Sequence, residues 1–211
     1  MDDLIAFAAR HDLDPVTQAA IAHAQLRSIE PFPQSNDQVA RSLINGVFRS
    51  RRATERSIVP ISAALSRNIL RYNGAWRSFR DGDATPMVEM VADATLRAAD
   101  AASRLAETVA LLPAQWHEAA RPRRGSAAHA LIDVLVDNPT VSAQRVQDLT
   151  GASQASAYDA IARLAESGVL TRVSPTRRDT AWAALDIFNA AHGVVSELAG
   201  ASAVTPQRVR S

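Results

Sequence analysis

The chain of 211 residues contains no cysteine and no lysine. Without cysteine, disulfides, thiolate nucleophiles and cysteine-bound metal are excluded. Without lysine, all 23 side chains of the lysine and arginine class are arginines, and a Walker-type phosphate loop is excluded. Aromatic residues make up only 5% of the chain and alanine is abundant, which favours closely packed helices over a β-sandwich.

Long apolar runs are missing as well. No stretch approaches the roughly 18 apolar residues that a membrane span needs. The first residues, Met1 to Leu4, lack the basic start and the apolar stretch of a signal peptide. We therefore expect a cytoplasmic protein without a membrane partner.

The formal charge is nearly balanced, at +1. Residues 1–120 hold 13 arginines against 14 acids, and residues 121–211 hold 10 arginines against 8 acids. This asymmetry permits nucleic-acid binding by the second part of the chain without requiring it.

The first 120 residues have the pattern of successive helices, so the predicted fold class is mainly α. Asp14 followed by Pro15 is a typical helix start, and Pro31 ends the apolar period that follows. A second helix is predicted to begin near Asp37. Further helices are predicted over 62–72, 85–111 and 113–119.

A composition break over 120–126 brings proline, glycine and three arginines together. The predicted organisation is therefore a helical domain over 1–120, a linker over 121–125, a second domain over 126–198 and a flexible tail over 199–211. In the second domain the pattern predicts helices over 127–137, 143–150, 154–167 and 185–198, with strands over 169–173 and 181–185.

Helix, helix, three-residue turn, helix and β-hairpin is the order of a winged helix–turn–helix domain. Such a domain inserts the N-terminal part of its third helix into the major groove. The candidate DNA-binding residues are Gln154, Ser156, Tyr158 and Arg163 on that helix, and Arg172, Arg177 and Arg178 on the wing. A second interpretation stays equally open, in which the module only packs or dimerises, because its third helix also carries Asp159 and Glu166.

The segment from Ile29 to Arg41, IEPFPQSNDQVAR, resembles the HPFxxGNGRxxR signature of the Fic (Fido) family. The flanks resemble the family too, at AHAQL (22–26), PISAAL (60–65), YNG (72–74) and RDGD (80–83). A winged helix after the Fic core is also known there. The resemblance implies a Fic-like helical bundle, from a family that mostly transfers AMP from ATP, with Mg²⁺, to a hydroxyl of a target protein.

The active-site loop over 30–41 departs from that signature. The family's catalytic histidine corresponds to Glu30, its acidic metal ligand to Gln34, its two glycines to Ser35 and Asp37, and its first arginine to Gln38, while Pro31, Phe32, Asn36 and Arg41 match. A glutamate is a poor general base at neutral pH, and a neutral amide binds a hard cation weakly. The resemblance thus implies a degenerate site. Only 29 residues precede Glu30, so we also expect the family's β-hairpin flap to be missing.

We therefore expect a non-enzymatic DNA-binding or regulatory protein that acts through its winged helix and needs no cofactor. A homodimer would place two recognition helices about 34 Å apart. One alternative is a Fic-type nucleotidyltransferase with a rebuilt site, in which Glu30 is the base, Asn36 and Arg41 bind the nucleotide, and ATP and Mg²⁺ are required. Another is a protein-binding partner of an active relative.

The five histidines are scattered along the chain, and no two of them have metal-ligand spacing. They are His11, His23, His117, His129 and His192. We expect capping or partly buried structural roles for them, and no metal site.

Overall fold

A computed structural model describes residues 1–54, 58–174 and 180–200. The helices of this part of the chain are α1 (Asp2–Ala8), α2 (Pro15–Ile29), α3 (Asn36–Ser50), α4 (Ile61–Ser66), α5 (Ile69–Arg80), α6 (Thr85–Ala120), α7 (Ala127–Leu135), α8 (Ala143–Thr150), α9 (Gln154–Glu166) and α10 (Leu185–Ala199). Its strands are β1 (Thr140–Val141), β2 (Thr171–Arg172) and β3 (Trp182–Ala183). The mainly α class is confirmed. Among the described helices, none has both the length and the apolar character that crossing a bilayer requires.

The chain divides into two compact units. The first consists of Met1–Ser103 and the residues from Val194 onward, and the second consists of Arg104–Gly193. This division lies inside α6 and inside α10, whereas the composition change that suggested a linker lies at 121–125. Composition marks a loop well, but it does not reveal that the preceding helix is part of the second unit.

The core of the first unit depends on the close approach of α2 and α3. Helix α2 begins with Pro15 in its first turn, and the Asp14 carboxylate accepts hydrogen bonds from the backbone amides of Val16 and Thr17. Four fully buried alanines on α2 leave room for larger side chains, among them Ile44 and Phe48 of α3; the alanines are Ala19, Ala20, Ala22 and Ala24. The alanine excess thus builds a tight helix pair.

Helix α6 continues through Pro113 to Ala120, where the sequence predicted two helices. A proline removes one amide donor and crowds the carbonyl one turn earlier, which favours a break. Here Leu112 and Trp116 are both buried in the core of the second unit, on either side of the proline. The Trp116 indole N–H also donates to the Asp186 carboxylate at 2.9 Å. Tertiary packing therefore holds this helix together.

The second unit combines α7, α8 and α9 with a three-stranded antiparallel sheet in the order β1-β3-β2. Its core is apolar and includes Leu131, Ile132, Leu135, Val146, Ile161, Leu164 and Val169. The two predicted strands are confirmed, although shorter. Strand β1 was not predicted, because two residues give no periodicity to read.

Two further differences concern the first unit. Helix α1 was not predicted, and the predicted helix over 62–72 is divided into α4 and α5. The division follows from Asn68, whose side-chain oxygen accepts from the Arg71 amide and so starts a new helix. The predicted tail over 199–211 lies, beyond residue 200, outside the described residues.

Candidate functional site

The first candidate surface is built around the turn between α8 and α9. Gly151 ends α8 in the left-handed region at φ 68°, where a residue without a Cβ is favoured. Its amide donates to the Gln147 carbonyl at 2.8 Å. Ser153 then caps α9, since its Oγ accepts from the Ser156 amide. These local interactions fix the direction in which α9 begins.

Helix α9 buries one face and exposes the other. Ala157, Ala160, Ile161 and Leu164 all lie in the core of the second unit. Gln154, Ser156 and Tyr158 are exposed, and Tyr158 keeps 50% of its surface accessible. The Ser156 Oγ is 3.1 Å from the Ser153 Oγ. The exposed residues at the start of α9 are those predicted to meet DNA.

Arg163 lies further along α9 and has a different role from these three residues. Its Nε donates to the Ala120 carbonyl at 3.0 Å, and its Nη2 donates to the Arg121 carbonyl at 2.6 Å. These are carbonyls at the end of α6, where a cation also interacts favourably with the helix dipole. In this conformation Arg163 fixes the end of α6.

The predicted wing is partly described. Arg172 is exposed on β2 and lies opposite Trp182 of β3 in the antiparallel register. Arg177 and Arg178 lie outside the described residues. A groove of about 630 Å³ lies nearby on the second unit, and its lining includes Arg123, Ser126, Ser156 and Asp159.

The second candidate surface is the loop over 30–41. Glu30 ends α2 in the left-handed region at φ 49° and is exposed. The Asn36 side chain closes the loop, because its oxygen accepts from the Phe32 amide at 2.9 Å and its nitrogen donates to the Phe32 carbonyl at 2.7 Å. Ser35 precedes α3 with φ 62° and makes no side-chain cap. Asn36 therefore stabilises the shape of the loop.

The Asp37 carboxylate at the start of α3 has a cationic partner within the unit. The Asp37 carboxylate accepts from the Arg27 Nε at 2.7 Å. The Arg27 guanidinium also donates to Asn73 at 3.0 Å and lies over the rings of Tyr72 and Trp76, at 4.6 and 4.4 Å from their centroids. A carboxylate thus occupies the helix start, where a bound phosphate would meet like charge.

Arg41, one turn further along α3, lines a separate cavity of about 370 Å³ with Ser62, Ser66 and Tyr72. Glu30 and Asn36 do not line that cavity. Of the three residues proposed for nucleotide transfer, only Arg41 contributes to this cavity.

Tyr72 of this cavity belongs to a buried polar pair. His23 is fully buried, and its Nε2 is 2.9 Å from the Tyr72 hydroxyl. Burial lowers the pKa of His23 from its ordinary 6.5 to about 4, and burial raises the pKa of Tyr72. Both side chains are uncharged at neutral pH, and His23 has no access to a substrate from solvent.

A third group of side chains was not predicted. His117 near the end of α6 meets His129 and Asp133 of α7, with potential ligand atoms that all lie within 4.8 Å of one another. The sequence did not predict this cluster, because His117 and His129 are separated in the sequence and lie on different helices. The signal that could have found it is the spacing of His129 and Asp133, one helical turn apart. Tyr72 and Trp76 on α5 are also one helical turn apart, and the Arg27 guanidinium lies over both of their rings.

No family model matches the chain, and no curated protein matches it. The resemblance to the Fic family accordingly stays a prediction based on the residues quoted above.

Proposed function

We propose that the chain is a non-enzymatic DNA-binding regulator whose second unit is a winged helix–turn–helix domain. The order α7, β1, α8, α9, β2, β3 and the sheet order β1-β3-β2 support this assignment. In a domain of this kind, α9 is the recognition helix and the β2–β3 hairpin is the wing.

The observation that carries the proposal is the exposed N-terminal part of α9. Gln154 offers an amide that can both donate to and accept from an adenine edge, and Tyr158 offers a ring and a hydroxyl. Both are exposed on a helix whose other face is buried and whose start is fixed by Ser153. The exposed polar side chains at the start of α9 are accessible to base edges in a major groove.

Arginines nearby provide the phosphate contacts in this proposal. Arg172 is exposed on β2, and Arg123 lines the groove that also contains Ser156. Their contribution is independent of sequence and weakens as salt rises. Asp159 lies beside the same groove and opposes phosphate approach, so we place the sugar–phosphate contacts at the two arginines.

The first unit serves in this proposal as a Fic-like scaffold without catalysis. The Asp37 carboxylate at the start of α3 supports that role, because it pairs with Arg27 and repels a phosphate. Dimerisation through this scaffold would present two α9 helices about one DNA turn apart, and it predicts a palindromic footprint.

The test is binding of the purified chain to its own upstream DNA and to a scrambled duplex of the same composition, across a salt series. A regulator binds the upstream fragment far more tightly, and the preference persists as salt rises. Equal binding to both duplexes that vanishes with salt would show only charge attraction, and it would overturn the proposal.

One observation favours a rival function, since Arg41 lines a cavity of about 370 Å³ in the first unit. A rebuilt nucleotidyltransferase would label itself from ATP carrying the label on its α-phosphate, and Glu30→Ala would abolish the label. We expect no label with Mg²⁺ present. Incorporation that depends on Glu30 would establish the rival.

A further inference from the structure

We propose that His117, His129 and Asp133 form a binding site for one Zn²⁺-like transition-metal ion in the second unit. This proposal is independent of DNA binding and of the loop over 30–41. It starts from three side chains of ligand type that the fold brings together from two helices.

The distances suit a metal shell. His117 Nε2 lies 2.9 Å from Asp133 Oδ1, and His129 Nδ1 lies 3.3 Å from Asp133 Oδ2. The two imidazole centroids are 4.5 Å apart with the rings inclined at 52°. Ligand atoms bound tetrahedrally to zinc at about 2.1 Å lie roughly 3.4 Å from one another. An ion therefore needs only small side-chain movements to enter.

The helices position these ligands before any ion arrives. His129 and Asp133 are one turn apart on α7, and the Ser126 cap fixes the start of that helix. His117 comes from the last turn of α6. The dipole of α6 favours a cation at this end. The Asp133 carboxylate already contacts both imidazoles, so much of the ordering entropy has been lost in folding.

The site is open to solvent as well as ordered. The side chains of His117, His129 and Asp133 retain 28%, 32% and 53% exposure. An ion can enter directly, and water or an external ligand can complete its shell.

The ligand set selects the class of metal. Imidazole nitrogens favour zinc, copper and nickel, whereas magnesium and calcium prefer oxygen ligands. Three protein ligands leave one position of a tetrahedral shell for water. Once bound, the ion would join the end of α6 to α7 and thereby stabilise the second unit.

The experiment is a zinc titration of the full, tag-free chain by calorimetry, with thermal unfolding measured in parallel. The test variants are His129→Gln and Asp133→Asn, and the matched control is His11→Gln, an exposed histidine of the first unit. We expect one ion per chain, a higher melting temperature with zinc, and affinity at least about tenfold weaker in each test variant. The control should behave as the unmodified chain does.

A second measurement, histidine-ring NMR, uses the unmodified chain. It therefore tests the proposal even if a variant folds poorly. Zinc should shift the ring signals of His117 and His129 and leave those of His11 unchanged. Binding that the two substitutions do not weaken, or ring shifts confined to other histidines, would overturn the proposal. The cluster would then be a group of side chains in contact with one another and no metal site.

Discussion

The starts of α3 and α9 differ in how their side chains are partnered. At α3, the Asp37 carboxylate pairs with Arg27, which lies over two aromatic rings of the same unit. At α9, Ser153 satisfies the backbone and leaves Gln154 and Tyr158 facing solvent. A local cap at α9 thus leaves the other side chains of the helix start exposed, and this contrast supports the recognition role that we propose for α9.

Gln18 and Gln154 differ in the same way, in burial and in hydrogen-bond partners. Gln18 is fully buried and donates to the carbonyls of Phe7, Ala8 and Arg10, while its oxygen accepts from Arg51 at 2.6 Å. Gln154 is exposed at the first position of α9. Substitution of the first should change stability, and substitution of the second should change binding.

The largest expected effect follows from Gln18→Leu. This change removes the Gln18 donor from three carbonyls and one acceptor from the Arg51 guanidinium, which still donates to the carbonyls of Arg10, His11 and Leu13. The free energy of unfolding should therefore fall by about 3 kcal/mol. The control is Gln25→Leu on the same helix, which removes one exposed hydrogen bond to Asp3 and should cost under about 1 kcal/mol. Denaturant unfolding followed by circular dichroism measures both; equal losses would contradict the account.

The next effect is the pH dependence of stability that His23 produces. The unfolded chain binds a proton near pH 6.5, whereas the folded chain resists protonation until about pH 4. The contribution of His23 to the free energy of unfolding is therefore fully present above pH 6.5. It falls by about 3 kcal/mol as the pH drops from 6.5 to 4. Unfolding measured from pH 7 to pH 4 checks this.

The control for that prediction is the double variant His23→Leu with Tyr72→Phe, which removes both members of the buried pair. Its stability should change less than that of the unmodified chain between pH 6.5 and 4. If the two curves run parallel, His23 is not the group responsible.

A smaller effect is expected from Gln154→Ala. Loss of a base contact should weaken binding to the upstream fragment by about 1–3 kcal/mol and relax sequence preference, with little change in stability. The matched control is Gln115→Ala, an exposed position on α6. Binding isotherms of both variants measure this effect. An unchanged affinity of the Gln154→Ala variant for the upstream fragment would show that Gln154 makes no base contact.

The smallest effect concerns Arg172→Ala. A phosphate contact contributes equally to all sequences, so binding to upstream and scrambled duplexes should weaken together. The slope of the logarithm of affinity against that of salt should fall by about 1. Arg10→Ala, in the first unit, is the control. A selective loss on the upstream fragment would instead indicate base recognition by Arg172.

Much of the second unit could be predicted from sequence because its signals are local. Ser142, Ser153 and Gly151 define helix ends by short-range hydrogen bonds and backbone preference. Continuation of α6 through Pro113 could not be predicted in this way, since it depends on the burial of distant side chains against Trp116.

The candidate sites followed the same rule. The exposed residues of α9 were predictable from helical period. The use of Arg163 at the carbonyls of Ala120 and Arg121, and the meeting of His117 with His129, depend on contacts between helices. Sequence patterns within one helix do not contain that information.

The most direct test is hydrogen exchange of the whole chain with and without its upstream duplex. The account predicts slower exchange over 153–166 and 171–173 and unchanged exchange over 30–41. Protection of 30–41 with no effect on 153–166 would place recognition on the first unit and contradict the central claim.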